Sequence, residues 1–310
     1  GGGAGSAQQS AAYCMNLSYQ CKDDNAFLVV QEALKAVAHN VVANERKGCC
    51  SYAYTREMGG DPHRVHMSEI FASAEDAQTH LTPHEGETLN EMFSEDPETK
   101  IMTKLSAAAV NPPEDNEAIM SGLAHLGLGC RLLRTLQGTV LNDFFFTSSW
   151  LRRYPTIRGV PGMGVLVELR FEPKPGARAD LLKHLEQVTG IATNKDSHSI
   201  LSCFTAPAWW QAGAPFTSEA VGLSLICTAA LGLKHHLRRS LVNGLKGHCS
   251  TVHCVLSGEN WEDENTQELC EHFEDCALDK VEKREVFAGF IIHPSLFKPP
   301  DAAPAAPAQP

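Results

Sequence analysis

The feature that most constrains this chain is that its two halves carry nearly the same pattern. Val65-His66-Met67-Ser68-Glu69-Ile70-Phe71 lies 156 residues before Val221-Gly222-Leu223-Ser224-Leu225-Ile226-Cys227, and at the same offset His80-Leu81 matches His236-Leu237. Further along, the offset drifts towards 146. Glu114-Asp115-Asn116 resembles Glu262-Asp263-Glu264-Asn265, His125 resembles His272, and Phe144 matches Phe290. Self-similarity at one long spacing, with drift where loops differ, marks a duplicated unit. The 310 residues therefore read as two domains of one plan, 13–148 and 162–297, joined by a Pro-, Gly- and Arg-rich linker at 149–161. The ends, 1–12 and the Pro/Ala-rich 298–310, are expected to form no packed structure.

Within the first half the periodicity spells out a unit. Ala11 to Lys22 reads as an opening strand. Asp24 or Asn25 then caps a helix whose apolar residues Phe27, Val30, Leu34, Val37 and Val41 recur at three and four. Cys49 to Arg56 reads as a strand, and the turn Gly59-Gly60-Asp61-Pro62 leads to another, with Val65, Met67, Glu69 and Phe71 on one face. Capping patterns at Ser73/Asp76 and at Thr82-Pro83-His84-Glu85 predict two short helices, and Ile101 to Val110 predicts a further strand. The order β-α-β-β-α-β is ferredoxin-like, an α+β arrangement with helices on one face of an antiparallel sheet. A helix through Ile119, Leu123 and Leu126 and a strand at Val140 to Phe146 extend it. The second half opens the same way: a strand at Val165 to Phe171, the turn EPKPG, and a helix from Ala177 to Val188.

Composition narrows the function classes. A net charge of −11 disfavours a broad nucleic-acid surface, which needs clustered positive charge. The longest weakly polar run, Ala220 to Leu233, is shorter than the roughly 20 residues of a bilayer span, so no membrane span is expected. Eleven cysteines, an odd number without any CxxC pair, suggest reduced thiols in a reducing compartment. That compartment is read as the cytoplasm, or an organelle after removal of a transit peptide, because the chain opens GGGAGS without a secretory pattern. P-loop, GxGxxG, GxSxG and HExxH patterns are absent, which disfavours NTPase, Rossmann, hydrolase and zincin readings.

The segments GCCSYAYTRE (48–57) and HRVHMSEIFASAEDAQTHLTPHE (63–85) resemble the antibiotic biosynthesis monooxygenase superfamily, the dimeric α+β barrels. The family reads Gly-Cys then Tyr in its second strand, Glu then an aromatic in its third, and His-Leu followed by Pro-His in the helix. The resemblance covers about 80 residues of the first half, with a decayed echo in the second. It implies that two four-stranded sheets face each other, here within one chain as an intramolecular pseudo-dimer. It also implies an oxygenase acting without metal or flavin on a substrate that readily forms a carbanion or phenolate. Such chemistry needs an apolar pocket, a base, and donors for the resulting oxyanion. The candidates are Glu69, His84, Tyr52 and Tyr54 as catalytic groups, with Asn16, Met67, Phe71 and His80 lining the substrate. Which strand face looks inward is not readable from the sequence.

Three readings compete. The first is this cofactor-free monooxygenase-like enzyme. The second is a non-catalytic relative that binds a small molecule or serves as a subunit of a larger assembly. The third is a haem protein: Asn16 matches the first-strand Asn of the haem-degrading branch, but His80 stands where an aromatic is expected. No resident metal is expected. In the best local cluster, HCSTVHC (248–254), a strand would hold His248 and Cys254 about 20 Å apart, and Cys249 and His253 about 13 Å apart. Cys270 and Cys276, six apart on a helix, point in different directions.

Overall fold

The computed structural model describes residues 13–44, 49–71, 76, 101–110, 139–143, 161–195, 199–206, 221–228 and 243–294. The first half contributes β1 (Tyr13–Cys21), α1 (Asp24–Asn44), β2 (Cys49–Glu57), β3 (Arg64–Phe71), β4 (Met102–Val110) and β5 (Thr139–Asp143). The second contributes β6 (Gly164–Pro173), α2 (Arg178–Lys195), β7 (Ser199–Ala206), β8 (Val221–Thr228), β9 (Cys249–Gly258), α3 (Glu264–Glu274) and β10 (Lys280–Phe290). The helices expected around 73–85 and 119–126 lie outside the described residues, as do both tails and most of the linker.

These ten strands form one mixed sheet in the order β4-β1-β3-β2-β10-β9-β6-β8-β7-β5. Every pairing is antiparallel except β10 with β9. Counted from its own first strand, each half has the order four-one-three-two: β4-β1-β3-β2 in one, β9-β6-β8-β7 in the other. The fifth strands cross over. β10 pairs with β2 of the first half, and β5 pairs with β7 of the second. The seam at β10 needs a glycine, because Gly289 has φ of +86° and a Cβ there would lie 1.9 Å from the Tyr52 carbonyl oxygen.

Helix α1 starts one residue earlier than the periodicity suggests. The Asp23 carboxylate accepts from the Ala26 amide, so Asp23 is the cap rather than Asp24 or Asn25. By length and composition this helix is apolar enough to cross a membrane, but Ala26, Phe27, Val30, Leu34, Ala38 and Val41 are buried as in a core helix. They meet Leu17, Tyr19, Tyr52, Tyr54, Val65, Met67 and Phe71 in one apolar cluster. A second cluster joins Leu181 and Leu185 of α2 and Leu269 and Phe273 of α3 to Val165, Val167, Leu169 and Phe171 of β6. Each large side chain so buried contributes roughly 1.5–3 kcal/mol.

A sheet covered by helices on one side only would leave alternate residues in water. Here they are buried as well. Ser51, Ala53, Thr55, His66 and Ile70 in the first half, and Leu166, Glu168, Val255 and Ser257 in the second, all lie on the face away from the helices. That second face is buried and partly charged.

Candidate functional site

Five of the eight expected site residues share the helix side of the sheet. Tyr52 and Tyr54 are both fully buried; their hydroxyl oxygens are 2.7 Å apart and their rings meet edge to face at 5.2 Å. Glu69, also fully buried, is the direct cross-strand neighbour of Tyr52, and Met67 is that of Tyr54. Phe71 completes the row on β3. Asn16 is not with them. Leu17 and Tyr19 point into the helix-side cluster, so by the two-residue period Asn16 faces the other way. His80 and His84 lie outside the described residues.

A cleft of about 480 Å³ opens between α1 and the end of β10; none of these five residues lines it, and Phe287 and Phe290 stand between them and its space. Its walls are Ala38, Val42, Phe287, Ala288, Phe290 and Ile292, with Lys35 and His39 at the rim. Phe290 lies between cleft and phenols, 6.3 Å from the Tyr52 ring, and Phe287 lies 6.5 Å from the Tyr54 ring. Phe27 of α1 holds Phe287 edge to face at 5.6 Å. Glu259, whose carboxyl burial pushes upward, anchors the cleft's far end by accepting from the amides of Gly164 and Ile291. The volume falls in the range of ordinary small-molecule pockets, and the wall is mostly apolar.

The other face carries a second group that was not foreseen. His66 sits with Ser18 Oγ 2.7 Å from Nδ1 and Glu57 Oε1 3.1 Å from Nε2, while Glu282 Oε1 lies 3.9 Å from Nε2. Arg284 pairs with Glu282, and Arg64 with Glu57 at 3.2 Å. Lys280 reaches Glu282 at 3.1 Å. Burial, then the charge of Arg284, holds the imidazole down to about 4, so it is neutral at pH 7. The same burial would raise the Glu282 carboxyl, but Arg284 and His66 together outweigh it and hold the group at about 2. Glu57 is lowered chiefly by its hydrogen bond from His66. On β6, beyond β9 from β10, burial raises the Glu168 carboxyl against the pull of Arg170 and Arg284. The one signal for this group in the sequence is the polar series Arg64, His66, Ser68 alternating with the apolar residues of β3.

No family model matches the sequence, and no curated protein does either. Among solved structures, one from Fusobacterium nucleatum described as a "putative monooxygenase" aligns over 92% of this chain and 93% of its own, at 9% identity and TM-score 0.43. A protein from Lactobacillus acidophilus with the same description aligns over 91% and 99%, at 9% identity and TM-score 0.41. An anthrone oxidase-like protein aligns over 80% and 90%, at 11% identity and TM-score 0.36. At this depth of likeness, function has to be argued from the residues of this chain.

Proposed function

We propose that the chain is a monooxygenase-like enzyme that oxidises a phenolic, quinol-type or carbanion-forming small molecule with O2 and no bound cofactor. The observation that carries this reading is the buried pair of phenol hydroxyls, Tyr52 and Tyr54, with the buried carboxyl of Glu69 one strand away and an aromatic-walled cleft separated from them by Phe287 and Phe290. In this reading Glu69 takes a proton from the substrate, and the tyrosine hydroxyls donate to the oxygen on which negative charge develops. The anion then passes its electrons to O2. For an activated methylene, two hydrogens leave the carbon, one oxygen atom enters as a carbonyl, and the second departs as water. The substrate supplies all the electrons. His80 and His84 remain proposed as further groups of this site, with Met67 and Phe71 proposed as the apolar packing around Glu69 that substrate would meet.

In the same reading the two halves are tandem ferredoxin-like repeats, and the sheet closes on itself as an intramolecular barrel. Burial of both faces of β3 and β6 supports closure. So does the strand order, which leaves β4 and β5 at the two ends while their counterparts β9 and β10 are paired.

Oxygen uptake with a panel of anthrones, hydroquinones and polyphenols tests the activity. Glu69→Gln is expected to lower the rate about 10²- to 10⁴-fold, the usual contribution of a positioned base. Uptake unchanged in Glu69→Gln and in the double variant Tyr52→Phe/Tyr54→Phe would overturn the site. A preparation that shows a Soret band, or that needs added hemin for activity, would overturn the cofactor-free chemistry.

A further inference from the structure

We propose that Glu57, His66 and Glu282, on the face of the sheet opposite the tyrosine pocket, bind one divalent first-row transition-metal ion at the seam between the two halves. One ligand atom from each of the three lies within 4.8 Å of the others. Metal–nitrogen and metal–oxygen bonds of about 2.0–2.2 Å put neighbouring ligands about 3.4 Å apart in a tetrahedral arrangement. The His66 Nε2 contacts, 3.1 Å to Glu57 and 3.9 Å to Glu282, bracket that edge. The ligands come from three adjacent strands, β3, β2 and β10, so the sheet itself fixes their spacing.

The surroundings fit a metal centre. A metal-binding imidazole is normally oriented by a hydrogen bond at its other nitrogen. In the ion-free chain Nε2–H donates to Glu57; with an ion bound the proton would move to Nδ1, which faces Ser18 Oγ at 2.7 Å and can donate to that hydroxyl, leaving the Nε2 lone pair for the ion. All three side chains are shielded, at 7%, 12% and 13% exposure for His66, Glu57 and Glu282. One imidazole with two carboxylates suits ions such as Zn²⁺, Mn²⁺, Fe²⁺ or Co²⁺, rather than the soft thiolate-seeking ones.

The opposing observation is the positive charge already present. Arg284 lies 2.5 Å and Lys280 3.1 Å from Glu282, and Arg64 lies 3.2 Å from Glu57. Carboxylates that ligate a metal are themselves hydrogen-bonded, and these guanidiniums can fill that role on the remaining lone pairs. They also repel a dication. The site is therefore expected to bind in the micromolar range, and to bind more tightly once Arg284 is neutralised.

The test uses the full chain after treatment with chelator. Titration with Co²⁺, followed by its visible absorption, and competition with Zn²⁺ are expected to give one ion per chain. His66→Ala should weaken binding at least tenfold, and Arg284→Gln should strengthen it severalfold. Should either variant fail to fold, the wild-type chain still decides the matter, because an ion bound only by the folded form raises its melting temperature with concentration. No stoichiometric binding below about millimolar ion, or no rise in melting temperature, overturns the site; so does binding that His66→Ala leaves unchanged. These readouts are separate from oxygen uptake, so the metal site and the tyrosine pocket can fail independently.

Discussion

The two faces of this sheet are both buried, yet they are built from different chemistry. On the helix side, strands β1, β2, β3, β6 and β9 present Leu, Val, Phe, Tyr and thiols to α1, α2 and α3, with Glu69 as the ionisable exception. On the other side no helix packs among the described residues, and Ser18, Glu57, His66, Glu168, Arg170, Glu282 and Arg284 interact across β1, β3, β2, β10 and β6. An apolar face gains its stability from area removed from water. A charged buried face must instead repay the cost of desolvation through pairing, so removing one partner leaves a worse state than having neither. The contrast teaches that a buried ionisable group has different meanings on the two sides. Glu69 is an ionisable side chain beside an apolar cluster, whereas His66 and Glu282 belong to a network of paired charges.

The most damaging change should fall where the two halves meet. Gly289→Val forces a side chain into the Tyr52 carbonyl at a positive φ, and is expected to cost more than about 3 kcal/mol in urea unfolding or to prevent folding. Next, the reality of the second buried face can be tested against the first. Phe171→Ala on the helix side should lose about 3–5 kcal/mol, and Ile70→Ala on the other face about 2–5 kcal/mol. A loss within about 0.5 kcal/mol at Ile70 would mean that its face meets solvent, and the comparison would break.

The two faces should also fail at opposite ends of the pH scale. Burial raises the thiols of Cys21, Cys249 and Cys270 to about 12 in the folded chain, against 9.0 for the free group. The unfolded chain therefore loses those protons first, and stability should fall as pH rises from 9 towards 12. His66, held at about 4 against 6.5, works the other way. The unfolded chain takes up its proton first, so that contribution is complete above pH 6.5 and is lost as pH falls towards 4. Glu282, at about 2 against 4.5, extends the acid loss below pH 4.5. Melting temperatures across pH 3–11 in wild type and in Cys270→Ala and His66→Ala check both limbs; each variant should flatten only its own. The smallest expected effect is that of Tyr52→Phe. Loss of one hydroxyl contact should cost about 0.5–1.5 kcal/mol while leaving the fold intact, so any larger fall in oxygen uptake reports on chemistry rather than packing.

Much of the architecture is legible from local pattern. The strand at 64–71, the helix after Asp23 and the α+β class follow from periods of two and 3.6. Strand parity groups Tyr52 with Tyr54, and Met67 with Glu69 and Phe71, but the β2–β3 register decided that the two sets share a face. Asn16 shows where this stops, because parity groups residues within a strand but does not say how two strands are phased against each other until the register is known.

What the sequence by itself determined is therefore which residues travel together along each strand and helix, because that depends only on backbone geometry. Which side receives the helices, and what the opposite side encloses, was decided by tertiary structure. Strand β10 makes the point. Period two would put Glu282, Arg284, Ala288 and Phe290 on one face, but the register shifts between Val286 and Ala288. The bulge turns Ala288 and Phe290 to the tyrosine side and leaves Glu282 and Arg284 with His66 on the other. One extra residue in a ladder, placed there by pairing with a strand from the far half of the chain, is invisible to any local pattern and sets both candidate sites.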